Sequence, residues 1–487
     1  MKTCKKTLAM LLALTAALSV VGCGDKDDGS AAETSHVDLV SVNSLNLSNE
    51  SGTDSGSLTQ TMSKIPDGQG EIEWLSYFDL NPVGTEEKST QLSLFEQLGG
   101  SIKYTRCASM SKYDALAKRE ISGDVPDIFW HEGMTFPANV IDGMFQSIDP
   151  IVDFDTPLWA DVKNAASQYV LNGKHYVAPI AFNQLSVICY DKARMNDAGL
   201  KDPYDLYKKN EWTWDTMEDM MRTYVEAATG DQVRYGVNGW FHAFIFRSTG
   251  ETLIKYDADK QEYVNNMDSP QLQRAANWLY DLSSDGLVNL TWYDEARKAF
   301  DDNTLFYAMG PWASTGIHTP TGDEEYGVVP MPRDPQSDTY YTSLETNAYM
   351  WVKGSTKTAA VKTWMECAKL ANTQEDYIAT GKEKFFVNNP GWTEDMWNLV
   401  YGPEARSNFT IVVDPGYGIT TALSNNDAAT NDTKEALIPY LYSSVSKKDE
   451  NETQMTWTGL RTAYAGTVDS ELATFNAKLK DFIAKGE

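Results

Sequence analysis

Five aromatic residues stand where a polyhydroxylated ligand could use them: Trp130, Trp240, Phe241, Trp312 and Trp457. Each lies where the chain turns, at the end of a strand-like run or in an irregular stretch, beside polar or small residues. A flat aromatic face covers the apolar C–H face of a pyranose ring, and nearby Asp, Glu, Asn and Arg side chains hydrogen-bond its hydroxyls. Other tryptophans read differently. Trp278 and Trp364 sit on apolar helix faces and belong to the core.

Catalysis is not singled out. His36, His131, His175, His242 and His318 form no HExxH and no other i,i+4 metal pair. There is no GxSxG elbow, no GxxxxGK[ST] loop and no GxGxxG turn. Acidic residues are plentiful, but no spacing picks out the paired carboxylates of a glycoside hydrolase. The expectation is a binding protein without catalytic residues, cofactor or metal.

The elements that must position these residues alternate. Glu71–Leu75 reads as a strand, and Leu92, Phe95 and Leu98 mark a helix closed by Gly99-Gly100. Ile102–Tyr104 is the second strand, Ser111-x-x-Asp114 resembles a capping box, and Asp127–Trp130 is the third strand. Strand, helix, strand, helix, strand implies a parallel sheet whose ligands gather at the strands' carboxyl ends. That puts Tyr77 to Asp79 and Trp130 to Glu132 on one rim. The alternation resumes after Ala178-Pro179, with a strand near Leu185–Tyr190 and helices over Trp214–Ala227 and around Leu272–Leu282. Further apolar stripes run through Val361–Ala368 and Leu472–Ile483. No internal repeat is visible.

The N-terminus assigns a location. Lys2, Lys5 and Lys6 precede an apolar run from Leu8 to Val21, and Val20-Val21-Gly22-Cys23 has the residue types of a lipobox. Residues 1–22 read as a lipoprotein signal peptide, with Cys23 as the lipidation site. Residues 23–70 read as the lipidated N-terminus and a flexible linker, because 24–70 contain no aromatic residue and are rich in Ser, Gly, Asp, Asn and Thr. Within them Val37–Leu47 alternates loosely, as a short docking strand would. The 487-residue chain has a formal charge of −28. Loss of the signal's three lysines leaves the mature body near −31, a charge that repels nucleic acid and anionic lipid. Cys107, Cys189 and Cys367 form no CxxC pair and are expected as buried free thiols.

Four stretches make the sequence recognisable. They are Gly123–Trp130; Asn172-Gly173-Lys174 through Ala178–Ala181 to Leu185-Ser186; Ala299-Phe300 through Ala308-Met309 to Gly310-Pro311-Trp312; and Tyr326–Pro330. In order and separation they resemble the extracellular solute-binding proteins of ABC importers, especially the maltodextrin-binding family. The resemblance implies an α/β, two-lobed periplasmic-binding-protein-like fold. Each lobe would be a mostly parallel sheet flanked by helices, with the ligand cleft between the lobes. It implies crossovers near Ile180–Leu185, Tyr341–Asn347 and Leu399–Gly402. The N-lobe would hold 71–181 plus 343–400, and the C-lobe 182–342 plus 401–487.

Site roles follow from the same resemblance. Trp130, Trp312 and Trp457 fall where the family stacks sugars, with Arg461 one helical turn from Trp457 as in the family's W-x-x-x-R. Trp240 and Phe241 match a cleft-facing Tyr-Phe pair. Asp79 matches an acidic hydroxyl binder, Glu132 approximately matches another, and Tyr77 shares their rim. Asn183 and Asn238 each stand where the family has a glutamate, so the hydroxyl pattern differs and maltodextrin itself is not implied. The segment from Phe409 to Thr456 has no close counterpart.

The implied function is a lipid-anchored, monomeric receptor on the extracytoplasmic face of the bacterial membrane. It would capture an oligosaccharide by open-to-closed motion and hand it to ABC permease subunits. A peptide or polyamine receptor is the alternative among binding proteins. A cell-surface glycan hydrolase or an adhesive lipoprotein is the alternative of another class.

Overall fold

The computed structural model describes residues 62–81, 88–315, 325–402, 408–424, 436–447 and 453–486. The signal peptide, Cys23 and the Val37–Leu47 pattern lie outside the described residues. The chain divides into two compact units. The first holds the residues up to His131, Gly143–Ala181 and Asn347–Phe385; the second holds Glu132–Asp142, Phe182–Thr346 and Phe386–Glu487.

Order reaches back beyond Glu71. Met62 and Ile65 are buried, and the Ile65 N–H donates to the Leu98 carbonyl at 2.8 Å. Two apolar side chains three residues apart suffice to dock the end of a segment whose composition reads as linker.

In the first unit, β1 (Glu71–Ser76) pairs in parallel with β2 (Ser101–Arg106) and β3 (Ile128–Trp130). Strand β3 is joined antiparallel by β15 (Leu344–Val352), which also pairs with β4 (Phe145–Gln146) and β7 (Ala178–Leu185). A short hairpin, β5 (Val170–Leu171) and β6 (Lys174–His175), turns at Asn172 and Gly173, with φ of 48° and 73°. The Asn-Gly step suits such a turn because both residues tolerate positive φ.

The Gly123–Trp130 stretch proves structural. Gly123 (φ 73°) ends the helix Lys112–Ser122 in the left-handed conformation. The carboxylate of Asp127 accepts the Glu73 N–H at 2.7 Å and the Ser355 hydroxyl at 2.6 Å, and it lies 3.0 Å from the Lys357 ammonium. One buried acid thus ties β1 to the segment after β15. At the other end of that helix Ser111 occupies the N-cap without a capping bond, since its backbone (φ −124°, ψ 20°) is not extended.

Lys369, with no exposed side-chain surface, pairs with Asp161 at 2.7 Å and donates to the Ile180 carbonyl at 3.2 Å. It holds β7 just before that strand leaves the first unit.

The second unit is built on β8 (Val187–Asp191), β9 (Tyr235–Gly239), β12 (Thr304–Met309) and β13 (Tyr326–Pro330), in the order β13-β8-β12-β9. Strands β9 and β12 are parallel; β8 runs antiparallel to both its neighbours. The remaining pairs are β10 (Ile254–Asp257) with β11 (Glu262–Asn265), and β14 (Tyr341–Thr342) with β16 (Thr410–Ile411). Helices Trp214–Glu226 and Pro270–Ser284 and the long Trp457–Ala484 bury their apolar faces in this unit. Residues 386–400, which the sequence assigned to the N-lobe, belong here. The Trp392 indole donates to the Ser314 carbonyl at 3.0 Å, and Trp392 and Trp397 are buried.

Candidate ligand-binding site

The first unit gathers aromatic residues at the carboxyl ends of β1 and β3. Because these strands are parallel neighbours, with Trp74 opposite Ile128, their exits lie side by side. Trp74 is fully buried, and its indole N–H donates to the Phe78 carbonyl at 2.8 Å. That bond turns Tyr77–Asp79 back over the strand end. Phe78 then meets Trp130 edge-on at 5.7 Å, and Trp74 and Tyr349 meet it at 6.4 and 5.1 Å. Trp130 is therefore held by three ring edges while remaining half-buried. The Tyr77 ring lies 5.1 Å from Phe78 and 5.5 Å from the Lys112 ammonium.

Half-buried Asp79 is pushed above the usual carboxylate range by burial, against a 2.8 Å hydrogen bond from the Asn81 N–H. His131 packs its ring 4.8 Å from Tyr169, and desolvation pushes its pKa down to about 3, so the ring is neutral. Glu132 opens the turn Gly133–Thr135 and groups with the second unit, its N–H donating to the Thr135 hydroxyl at 2.8 Å.

The second unit repeats the device. Parallel β9 and β12, with Asn238 opposite Tyr307, end beside each other and run out into Trp240 and Gly310-Pro311-Trp312. Gly239 has φ 96°, and a Cβ there would fall 2.2 Å from the Ala308 carbonyl oxygen. Only glycine permits this approach, through which the Trp240 N–H reaches the same carbonyl at 2.5 Å. Trp240 emerges 42% exposed, and Trp312 is half-buried on the turn Pro311–Ser314.

Several residues named from the sequence take other roles. Trp457 is 1% exposed, packs 5.2 Å from Phe246, and donates its indole N–H to the Met267 carbonyl at 3.1 Å. Its faces are spent on the core, so it offers none to a sugar. Arg461, one turn later, pairs with the exposed Asp268. Phe241 is 2% exposed and stacks 4.2 Å from the His242 ring. Asn183 lies in β7, with its side chain outside the described residues.

Asn238 is buried. Its amide donates to the carbonyls of Asn289 and Thr291 at 3.0 and 2.7 Å, and its Oδ1 has no partner. It anchors the loop that presents Trp292, 56% exposed. Trp292 was missed by sequence reasoning, although it is a tryptophan in an irregular, polar-flanked stretch and satisfies the criterion applied to the others.

Cys107, Cys189 and Cys367 are free thiols, the last two buried and Cys107 only partly so. Among the described residues no cluster of three His, Cys, Asp or Glu could hold a metal ion. No helix among them is long and apolar enough to cross a membrane. The groups at both rims can stack on rings and exchange hydrogen bonds.

Residues 93–375 match the family model of bacterial extracellular solute-binding proteins. No curated protein matches the sequence. Solved structures similar to this chain include an ABC substrate-binding protein from Listeria monocytogenes in complex with cycloalternan, at 16% identity and a TM-score of 0.53, covering 82% of this chain and 98% of that one. Another is the galacto-N-biose/lacto-N-biose I-binding protein of an ABC transporter from Bifidobacterium longum, in complex with lacto-N-biose. It has 15% identity, a TM-score of 0.54, and coverage of 85% and 98%. A third is the cyclic α-maltosyl-1,6-maltose binding protein from Arthrobacter globiformis, at 16% identity, a TM-score of 0.53, and coverage of 84% and 99%. At these identities the likeness establishes the two-lobed α/β solute-binding fold.

Proposed function

Because the chain belongs to the bacterial extracellular solute-binding protein family, we propose that it is the receptor of an ABC importer for a carbohydrate, specifically an oligosaccharide. It captures the sugar outside the membrane and delivers it to the permease subunits. The observation that carries this reading is the placement of half-exposed tryptophans at the carboxyl edges of parallel strands: Trp130 at the end of β3, and Trp240 and Trp312 after β9 and β12. Indole faces beside carboxylates and amides suit a neutral, polyhydroxylated ligand. The similar proteins in complex with cycloalternan and lacto-N-biose support the same ligand class.

The mature protein is a monomer tethered through lipid on Cys23. It binds without turning its ligand over, so no catalytic pair is assigned.

Calorimetry and tryptophan fluorescence across a glycan panel test the reading. Saturable heat and a fluorescence change with an oligosaccharide are expected, at roughly micromolar affinity. Silence across neutral and acidic glycans, with binding of a peptide or polyamine instead, would sink it.

A further inference from the structure

Arg247 ends the helix His242–Arg247, and its side chain is 13% exposed. Its guanidinium carbon lies 5.2 Å from the centroid of the Tyr417 ring and 5.9 Å from that of Tyr442. The paired carboxylate, Asp414, is 4.0 Å away, beyond hydrogen-bonding distance. Asp414 is already engaged. One oxygen accepts the Tyr442 hydroxyl at 2.6 Å, and the other accepts the Gly416 N–H at 3.0 Å. Burial pushes the Asp414 pKa up, opposed by the Arg247 charge and by the hydrogen bonds from Tyr442 and Gly416. Meanwhile the Arg247 Nε–H is buried with no acceptor.

A desolvated guanidinium with an unpaired donor is costly unless an acceptor arrives. The guanidinium lies over both tyrosine rings, and its Nε–H is the donor left without an acceptor; a planar guanidinium takes a carboxylate with directional, charge-assisted hydrogen bonds.

Tyr417 comes from the segment that the sequence could not match to the family. Its turn, Pro415–Gly418, packs on the segment that follows Glu132. A Cβ at Gly418 would fall 1.8 Å from the Phe136 carbonyl oxygen, and the Ser424 hydroxyl meets Met134 Sδ at 3.4 Å. The insertion thus builds one wall of the Arg247 position. An anionic ligand approaching a chain of net charge −28 needs such a local cation.

We propose that Arg247, framed by Tyr417 and Tyr442, binds the carboxylate of an acidic sugar, so that the ligand is an oligosaccharide carrying a uronic acid. This rests on the carbohydrate reading and narrows it.

The test is calorimetry of the whole mature chain with galacturonic-acid oligomers and with their neutral galactose counterparts. Wild type should favour the acidic series by about tenfold or more. Arg247→Met should erase that preference, and Arg247→Lys, which keeps the charge but loses the planar fork, should lower it. Thermal unfolding without ligand separates folding from binding. If wild type prefers the neutral series, or if Arg247→Met lowers Tm while the acidic preference persists, Arg247 is purely structural and the proposal falls. If Arg247→Met does not fold, an unchanged preference in Arg247→Lys overturns it. Binding of neutral sugars alone would leave the carbohydrate reading standing; binding of neither series would remove both.

Discussion

Trp130 and Phe78 meet edge to face, their ring centroids 5.7 Å apart and their planes at 89°. One follows β1 and the other ends β3, so the contact exists only because those strands are parallel neighbours. It fixes the orientation of an indole that is still half in solvent.

Trp130→Ala should therefore do two things. Carbohydrate affinity should fall about tenfold or more, near 1.4 kcal/mol. Stability should also fall, by about 3 kcal/mol, through lost contacts with Trp74, Phe78 and Tyr349. Calorimetry and denaturant unfolding read the two separately; unchanged affinity in folded protein would return Trp130 to the core.

Trp240 and Trp457 should behave oppositely. Trp240→Ala, at a 42% exposed position, should leave Tm nearly unchanged and weaken sugar binding. Trp457→Ala, at a 1% exposed position, should destabilise the protein by about 3–5 kcal/mol. Any affinity loss in Trp457→Ala should vanish once the folded fraction is accounted for.

Asn238 donates to two carbonyls and receives nothing on Oδ1. Asn238→Asp would replace the donor with a carboxylate facing the carbonyls of Asn289 and Thr291. It should be more destabilising than Asn238→Ala, which costs about 1–3 kcal/mol. Both should also quench the contribution of Trp292 to any ligand-induced fluorescence change.

Acid should destabilise the protein in two windows. Burial disfavours the charged form of Glu73, but hydrogen bonds from Arg119, Thr105 and Lys103 overcome this and hold its pKa at about 2. Its folded pKa lies below the ordinary glutamate value of 4.5, so its stabilisation is present above 4.5 and is lost as pH falls toward 2. His131, depressed from 6.5 to about 3, binds fewer protons folded than unfolded, so it destabilises progressively as pH falls below 6.5 and levels off below 3. Tm measured from pH 8 to 3 should show both slopes. Glu73→Gln should flatten the lower one, and His131→Asn the upper.

Lys369→Met keeps the stem but strands Asp161 and frees the Ile180 carbonyl. Because Asp161 is 24% exposed and water can screen it, a loss of about 3 kcal/mol is expected in urea unfolding. A neutral effect would mean that water replaces the ammonium at both oxygens.

Much of the fold was legible because its signals are local. Strand-like runs marked Glu71–Ser76 and Ser101–Arg106, and apolar spacing marked the helix Pro270–Ser284 and the C-terminal part of Trp457–Ala484. The Gly123–Trp130 motif has a packing role in this chain, as Asp127 shows with its ties to Glu73, Ser355 and Lys357. Boundaries were less legible. Residues 62–70 read as linker and 386–400 as N-lobe, yet Ile65 bonds Leu98 and Trp392 bonds Ser314, partners that no local pattern announces.

The sequence by itself determined the family, the alternation of strands and helices, and that tryptophans at strand ends are the residues to examine. Only the tertiary structure decided which of them keep a free face. Trp457 shares their residue type but is covered by Phe246, while Gly239 and Asn238 turn Trp240 and Trp292 outward. The physical reason is that periodicity fixes which side of an element is apolar, whereas exposure depends on what distant segments pack against it. The same holds for Arg247, an unremarkable helix-end cation until Asp414, Tyr417 and Tyr442 close around it.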